Sequence, residues 1–205
     1  MDTEIRTLFN CIHEEVVQLF YRWKIFRQLF DSGEENVSLL NQSGSNVFAL
    51  LQGLIIENAF LTLCRLTDPE MTGSFENLSI RNILRKMAAT LKDENRGDLS
   101  GKLARLEAAT EKIRSHRNKR ITHLDLKHAI KAEPLPAVEY GDLEDALGIL
   151  ECIMRDLHRV LWNADTRYRE PTIAYGCDGD HLLRVLRDVG VRRGPNKAIK
   201  NDGHS

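Results

Sequence analysis

Residues 5–30 read IRTLFNCIHEEVVQLFYRWKIFRQLF, and their apolar positions set the fold class. These positions recur at alternating steps of four and three, so they share one face of a helix. The members are Ile5, Phe9, Ile12, Val16, Leu19, Trp23, Phe26 and Phe30. The spacing predicts a first helix of about seven turns, which Asp31-Ser32-Gly33 ends.

Similar patterns predict four further helices after this one, and no strand pattern of useful length appears. The second predicted helix is apolar nearly all round, which favours a central position, and a polar connection at residues 41–46 precedes it. The four cover roughly residues 47–67, 78–87, 99–120 and 142–161, with Asp142 as the N-cap of the last. The prediction is an all-α fold, an up-and-down bundle of four to five helices.

The expected domain organisation is a helical bundle over residues 1–167 and a short C-terminal extension over residues 168–205. Beyond Tyr168 the apolar pattern weakens, but residues 181–189 are consistent with one short amphipathic helix. The tail from Arg192 is rich in Gly, Lys and Asn, and we expect it to be mobile.

Composition excludes several classes of protein. The 205 residues are 42% hydrophobic and 29% charged, with a net charge of −1, as in ordinary soluble proteins. This balance does not indicate a membrane or nucleic-acid partner for the chain as a whole. The most apolar region, residues 47–66, contains charged Glu57 and Arg65 and is a poor membrane span, and the N-terminus lacks a signal-peptide pattern. We therefore expect a cytoplasmic protein with no membrane partner.

The cysteines and histidines do not predict a metal site. Cys11, Cys64, Cys152 and Cys177 are far apart and form no CxxC pair. The histidines lack the spacing of known zinc-ligand patterns. We expect no bound metal and a reducing compartment.

The strongest functional pattern is the segment RNKRITHLD at residues 117–125. Steps of four and three along the fourth predicted helix connect an apolar face, Leu99, Leu103, Leu106, Thr110 and Ile113, to Arg117 and Arg120. We expect both arginines to point towards the interior or a groove beside it, where charges need partners. The alternative is a basic last turn that complements the helix dipole at the surface.

His123 follows six residues after Arg117, close to the predicted end of the helix. Arginine and histidine together in a cleft suit anion binding and proton transfer near neutral pH. The chain has no glycine-rich phosphate loop, no GxSxG motif and no hydrolase triad.

A polar arc near the end of the second predicted helix offers partners for these cations. On a helical wheel Glu57 and Asp68 nearly coincide, and Arg65 and Asn58 lie beside them. One interpretation is that Glu57 or Asp68 orients Arg117 and His123. The other is that the arc only marks the surface of the helix, where Arg65 and Asp68 pair locally.

Residues 117–123, RNKRITH, resemble the signature of HEPN domains, in which a histidine follows an arginine by four to six positions. Residues 63–69, LCRLTDP, and 120–125, RITHLD, are similar to the abortive-infection branch of that superfamily. The resemblance covers roughly residues 1–167. Thr122 departs from it, because related motifs often carry alanine there.

The resemblance implies a metal-independent endoribonuclease without a cofactor, of the toxin or antiviral-defence type. It also implies a homodimer in which Arg117 and His123 of both copies form a shared site. His123 would transfer protons, Arg117 would stabilise phosphorane charge, and Asn118 would position a phosphate. Lys119 and Arg120 would bind the RNA backbone. The expected partners are RNA, a second copy and an antitoxin protein.

Two alternatives stay open at this point. Some HEPN proteins are non-catalytic, so the chain could be a helical RNA- or protein-binding module. Arg117 and His123 could also belong to a purely structural ion-pair network with Glu57 or Asp68.

Overall fold

The computed structural model describes residues 3–121 and 135–193, with side chains described as far as residue 189. Helices dominate these residues, so the all-α class is confirmed. The helices are α1 (Thr3–Phe30), α2 (Glu34–Leu66), α3 (Ile80–Met87), α4 (Asp93–Ala109), α5 (Glu111–His116), α6 (Tyr140–Trp162) and α7 (Gly179–Arg193), with a π-helical turn at Arg117–Ile121. Two short antiparallel strands, β1 (Met71–Thr72) and β2 (Phe75–Glu76), form a hairpin between α2 and α3.

Helix α1 has the apolar face that its sequence predicts. Every member of the seam from Ile5 to Phe26 is buried, and Phe30 at the end is partly exposed. Burying a large apolar side chain stabilises a fold by about 1.5–3 kcal/mol. This face therefore accounts for a large share of the hydrophobic stabilisation.

Helix α2 begins thirteen residues earlier than its apolar pattern indicates, at Glu34 instead of Val47. The predicted polar connection at residues 41–46 is mostly helical, and the break that it predicts is confirmed only as a kink at Gly44, where two helical segments join. Only Gly44 departs from helical dihedral angles, with φ 161° and ψ 67°. The physical reason is packing, since Leu40 is buried beside Leu29 and Leu183 and outweighs the low helix propensity of the polar residues.

The described residues divide into two compact units, and α1 and α2 contribute to both. Of the described residues, the first unit contains 3–24, 53–121 and 135–171, and the second contains 25–52 and 172–193. The core of the second is small and centres on Leu29, Leu40 and Leu183, with partly buried apolar side chains around them.

In the first unit α4 packs along α6, which places the carboxyl end of α4 for the site described below. Their buried side chains include Leu103 and Leu106 from α4 and Leu147 and Leu150 from α6. The N-cap of α6 is Glu139 and not the predicted Asp142. Asp142 instead closes a capping box, because its Oδ2 accepts the backbone N–H of Glu139 at 2.9 Å.

Helix α2 also carries an exposed apolar face. Val47, Leu50 and Leu54, at steps of three and four, are 66%, 64% and 54% exposed. By length and composition alone α2 qualifies as a membrane-spanning helix, whereas its sequence is expected to be a poor membrane span, and only 28% of its most apolar stretch is buried. Its last two turns are core-forming, since Leu63, Cys64 and Leu66 are buried.

Helix α7 corresponds to the short helix predicted in the C-terminal extension. The predicted tail starts at Arg192, but α7 extends to Arg193, and residues 194–205 lie outside the described residues. The segment 122–134, which contains His123, also lies outside them.

Candidate active site

The site begins where the fourth predicted helix is interrupted. Thr110 ends α4, because its backbone leaves the helical region and its buried hydroxyl donates to the carbonyl oxygens of Leu106 at 2.9 Å and Glu107 at 3.1 Å. The chain then resumes as α5, whose Ile113 is fully buried. The apolar face of α4 therefore continues through α5 as far as Arg117.

A π-helical turn, Arg117–Ile121, follows directly and carries the motif residues. Such turns often occur at functional sites. The turn is wider than an α-helical one, so each residue advances by a smaller angle. This explains why Arg117 is half-buried while Arg120, three residues later, is exposed and does not share the interior face that simple helical spacing predicts.

Asp68, just beyond the end of α2, is the centre of the cluster. Arg117 binds it with both terminal nitrogens, Nη1 to Oδ2 and Nη2 to Oδ1, each at 3.3 Å. Arg114 binds the same carboxylate more closely, with Nη1 2.5 Å from Oδ1. One carboxylate thus holds two guanidinium groups that lie three residues apart.

The end of α2 fixes Arg114 through two further groups. Its Nη2 donates to the Thr67 hydroxyl at 2.6 Å and lies 3.4 Å from the carbonyl oxygen of Cys64. The Thr67 hydroxyl itself donates to the carbonyl oxygen of Leu63 at 2.9 Å. Arg114 is therefore anchored at several points, and Asp68 is held in a defined orientation.

Arg117 has unused hydrogen-bonding capacity. Its side chain is only 20% exposed, and its Nε is buried without a hydrogen-bond partner among the described residues. Among the described residues, two cations share one carboxylate, so the cluster of Asp68, Arg114 and Arg117 carries a surplus positive charge. A partly buried surplus cation of this kind favours binding of an anion.

Cys64 lies beside the cluster but is poorly suited as a nucleophile. Burial raises the pKa of its thiol, against the lowering influence of Arg114 and Arg117. The thiolate is the reactive form, so this buried thiol is unreactive near neutral pH.

The remaining residues singled out by the sequence lie at different places. Arg65 is exposed and pairs with Glu15 at 3.5 Å, not with Asp68. Glu57 is exposed and lines a cavity with His116 and Arg120, away from the Asp68 cluster. Asn118 and Lys119 are exposed on the π-helical turn. His123 belongs to the segment that the structure does not describe.

Arg114 and Thr67 were missed by sequence reasoning. A usable signal was present, because Arg114 precedes Arg117 by three residues and so shares its helix face. For Thr67 the only signal was its position next to Asp68.

The cluster does not resemble a metal site. Across residues 3–121 and 135–189, no three His, Cys, Asp or Glu side chains are grouped so that they could hold a metal ion. Asp68 is flanked by two guanidinium groups, which would repel a cation.

Comparison with known proteins identifies the family. The model of the AbiU2 family of HEPN domains (HEPN_AbiU2) matches residues 2–182, most of the chain. The chain belongs to the AbiU2 family. The match includes Asp68, Arg114 and Arg117, and it extends past the predicted bundle boundary at residue 167 into α7. No curated protein and no solved structure matches the chain.

Membership of the AbiU2 family confirms the resemblance to abortive-infection HEPN proteins, and it is consistent with a function of the ribonuclease type. The Asp68 cluster lies where the carboxyl end of α2 meets the segment that carries the Arg117–His123 motif.

Proposed function

We propose that this AbiU2-family chain is a metal-independent endoribonuclease of the toxin or antiviral-defence type. The observation that carries the proposal is the partly buried Arg117, which Asp68 orients and whose Nε lacks a partner. A preorganised cation of this kind stabilises the negative charge that develops on phosphate oxygens during cleavage.

The proposed reaction is an internal transesterification of RNA. The 2′-hydroxyl oxygen attacks the adjacent phosphorus, so the new P–O2′ bond forms while the P–O5′ bond breaks. The imidazole of His123 takes the proton of the 2′-hydroxyl, and a solvent water molecule donates a proton to the leaving 5′ oxygen. The products are a 2′,3′-cyclic phosphate and a 5′-hydroxyl end.

The charged residues after Arg117 support a role in binding RNA. Asn118, Lys119 and Arg120 are exposed on the π-helical turn, where they can reach a polyanion outside the cluster. Binding through such contacts weakens as salt concentration rises. In this proposal, Arg117 acts at the reacting phosphate and Arg120 contacts a neighbouring part of the strand.

We further propose that the active form is a homodimer with a shared site. The exposed apolar face of α2, formed by Val47, Leu50 and Leu54, supports this because a second copy can cover it. Leu50→Glu should then yield a monomer with little cleavage activity, as measured by light scattering and RNA cleavage. Val185→Glu, which changes an exposed apolar residue of α7, is the matched control.

An antitoxin partner and a cytoplasmic location belong to the same proposal. In a reducing compartment the thiols of Cys11, Cys152 and Cys177, which are exposed and unpaired in the structure, stay reduced. A protein that binds over Arg117 and the exposed π-helical turn would prevent access of RNA and so act as an antitoxin.

The competing function is a non-catalytic RNA- or protein-binding module. One observation favours it, namely that Asp68 already neutralises part of the charge of Arg117. Such a module would retain RNA without turning it over.

An RNA cleavage assay in EDTA separates the two functions. We expect the wild type to produce cyclic-phosphate ends and His123→Ala to lose this activity. His181→Ala, which removes an imidazole from α7, serves as the control for folding and handling. Equal cleavage by wild type and His123→Ala would contradict the mechanism, and RNA retention without cleavage would favour the binding module.

A further inference from the structure

A cavity beside the π-helical turn is separate from the Asp68 cluster. It has a volume of about 240 Å³ and is lined by Gly53, Ile56, Glu57, Phe60, His116, Arg120, Ile121 and Val138. Pockets for drug-sized ligands usually measure roughly 300–1,000 Å³. This cavity therefore suits a single ring system better than a larger molecule.

The polar groups of the cavity are of both signs. Glu57 and Arg120 line it from α2 and from the π-helical turn, and both are exposed. Neither side chain forms a hydrogen bond or ion pair within the described part of the chain. A free carboxylate and a free guanidinium around one cavity can bind a ligand that presents donors on one part and acceptors on another.

His116 provides a fixed ring at the same cavity. Its Nε2 lies 2.7 Å from the carbonyl oxygen of Pro136, so Nε2 is the donor and Nδ1 is left for other contacts. The ring of Phe60 lies edge to face with it, with centroids 6.0 Å apart. Planar bases commonly stack on histidine or other aromatic side chains in RNA-binding proteins.

We propose that this cavity binds one nucleobase of the RNA substrate and that guanine is the preferred base. Guanine carries two adjacent donors, N1–H and the N2 amino group, which match the two oxygens of Glu57. It also carries two acceptors, O6 and N7, which match the guanidinium of Arg120. His116 supplies the stacking surface.

The other bases match less well. The amino groups of adenine and cytosine lie next to ring-nitrogen acceptors, and the single N3–H of uracil lies between two carbonyl oxygens. A carboxylate at any of these edges would face an acceptor, which is unfavourable. Glu57 therefore selects against these three bases as well as favouring guanine.

The position of the cavity relates the base to the cleavage site. His116 directly precedes Arg117, and Arg120 and Ile121 belong to the same π-helical turn as Arg117. The bound base therefore belongs to a nucleotide at the scissile phosphate or adjacent to it. The inference rests on the proposed RNA substrate and adds specificity for guanine.

Titration of the full-length protein with GMP, AMP, CMP and UMP, followed by NMR chemical shifts, tests the inference without requiring cleavage. We expect GMP to bind at least about fivefold more tightly than the other three, which is the lower end of what a bidentate contact provides. Glu57→Gln should remove this preference. Glu111→Gln, which makes the same charge change on α5 outside the cavity, should keep it.

Equal affinity for the four nucleotides, no saturable binding at millimolar concentration, or a GMP preference that survives Glu57→Gln would each overturn the inference. The RNA cleavage assay tests the ribonuclease proposal separately. GMP preference without cleavage would support the base site alone. Cleavage without GMP preference would leave the ribonuclease and remove the base site.

Discussion

Among the arginine–carboxylate clusters of the first unit, those of Arg169 and of Asp68 differ in how many nitrogens of the arginine have a partner. In the Glu144–Glu151–Arg169 cluster, Arg169 donates to Glu144 Oε2 and to the Glu144 carbonyl oxygen, each at 2.8 Å. Its Nε also lies 3.4 Å from Glu151 Oε2. In the Asp68 cluster, Arg117 has two contacts of 3.3 Å and an unpartnered Nε.

The two clusters also have opposite ratios of arginine to carboxylate. The Glu144 cluster holds two carboxylates for one arginine, and Trp23 and Tyr140 additionally donate to Glu144 at 2.7 Å and 3.0 Å. The Asp68 cluster holds two arginines for one carboxylate. A cluster with a saturated cation serves stability, whereas a cluster with a surplus cation can still bind a phosphate.

The largest expected effect is on catalysis at Arg117. Arg117→Ala should lower RNA cleavage by at least about 100-fold, as removal of a group that stabilises transition-state charge commonly does. Arg117→Lys should recover only a small part, because an ammonium cannot reproduce the bidentate geometry. The measurement is kcat/KM on a defined RNA, with Arg27→Ala, an exposed arginine of α1, as the control.

Unchanged cleavage in Arg117→Ala, with cooperative unfolding retained, would remove the distinction between the clusters. The Asp68 cluster would then be a structural network like that of Arg169.

The next largest expected effect is a lower free energy of unfolding in Arg169→Ala. Arg169→Ala leaves Glu144 and Glu151 partly buried without their cation. Because the cluster is partly solvated, we expect a loss of about 1–3 kcal/mol in the free energy of unfolding. Urea denaturation measures this loss, and cleavage per folded molecule should stay close to that of the wild type. A fall in cleavage without loss of stability would contradict the structural role.

Helices α1 and α2 differ in how well their sequences predict them. The regular seam from Ile5 to Phe26 predicts α1 because burial and helical period agree there. The start of α2 was missed because packing of Leu40 in the second unit outweighs a polar local sequence. Tertiary contacts of this kind are not visible in a periodic pattern.

The same limit applies to the candidate site. Spacing predicts the inward direction of Arg117, and the polar arc offers Glu57 or Asp68 as a partner, of which the structure pairs Asp68 with Arg117. The π-helical turn changes the phase of the helix, so Arg120 lies at a cavity instead of at the Asp68 cluster. A wheel drawn for an uninterrupted α-helix cannot show such a shift. Glu57 lies at the same cavity because it precedes Asp68 by about three turns along α2, a separation that a helical wheel does not show.

A smaller effect on catalysis is expected from substitution of Arg114, the second arginine of the Asp68 cluster. In Arg114→Met, Asp68 loses its closer partner and should bind Arg117 more tightly, which leaves Arg117 less available to the phosphate. We expect kcat to fall about tenfold, which corresponds to 1.4 kcal/mol in the barrier. Because Arg114 does not touch the substrate in this proposal, KM should change less.

Arg114→Lys provides the second measurement, because a lysine at this position keeps a cation beside Asp68. Partial recovery of kcat in Arg114→Lys is expected if Arg114 acts by positioning Asp68. A purely structural role predicts instead that both variants lose stability and that cleavage per folded molecule does not change.

The smallest effect concerns a histidine outside both clusters. His13 Nδ1 lies 2.8 Å from the hydroxyl of Tyr168, and the ring of His158 lies beside it. Burial lowers the pKa of His13, and the neighbouring His158 lowers it further, against the opposing charge of Glu14. Since this pKa lies below that of a histidine in the unfolded chain, about 6.5, the unfolded chain takes up the proton first as pH falls.

The free energy of unfolding should therefore decrease as pH falls from neutral through the unfolded-state value towards the lower pKa of the folded state. His13→Gln removes this titration, so its stability should depend less on pH over that range, as measured by urea denaturation. The pH profile of cleavage should be the same in both proteins, because in the proposed mechanism His123 and not His13 transfers the proton. A cleavage profile that moves with His13→Gln would mean that the α1 histidine is coupled to the Arg117 site.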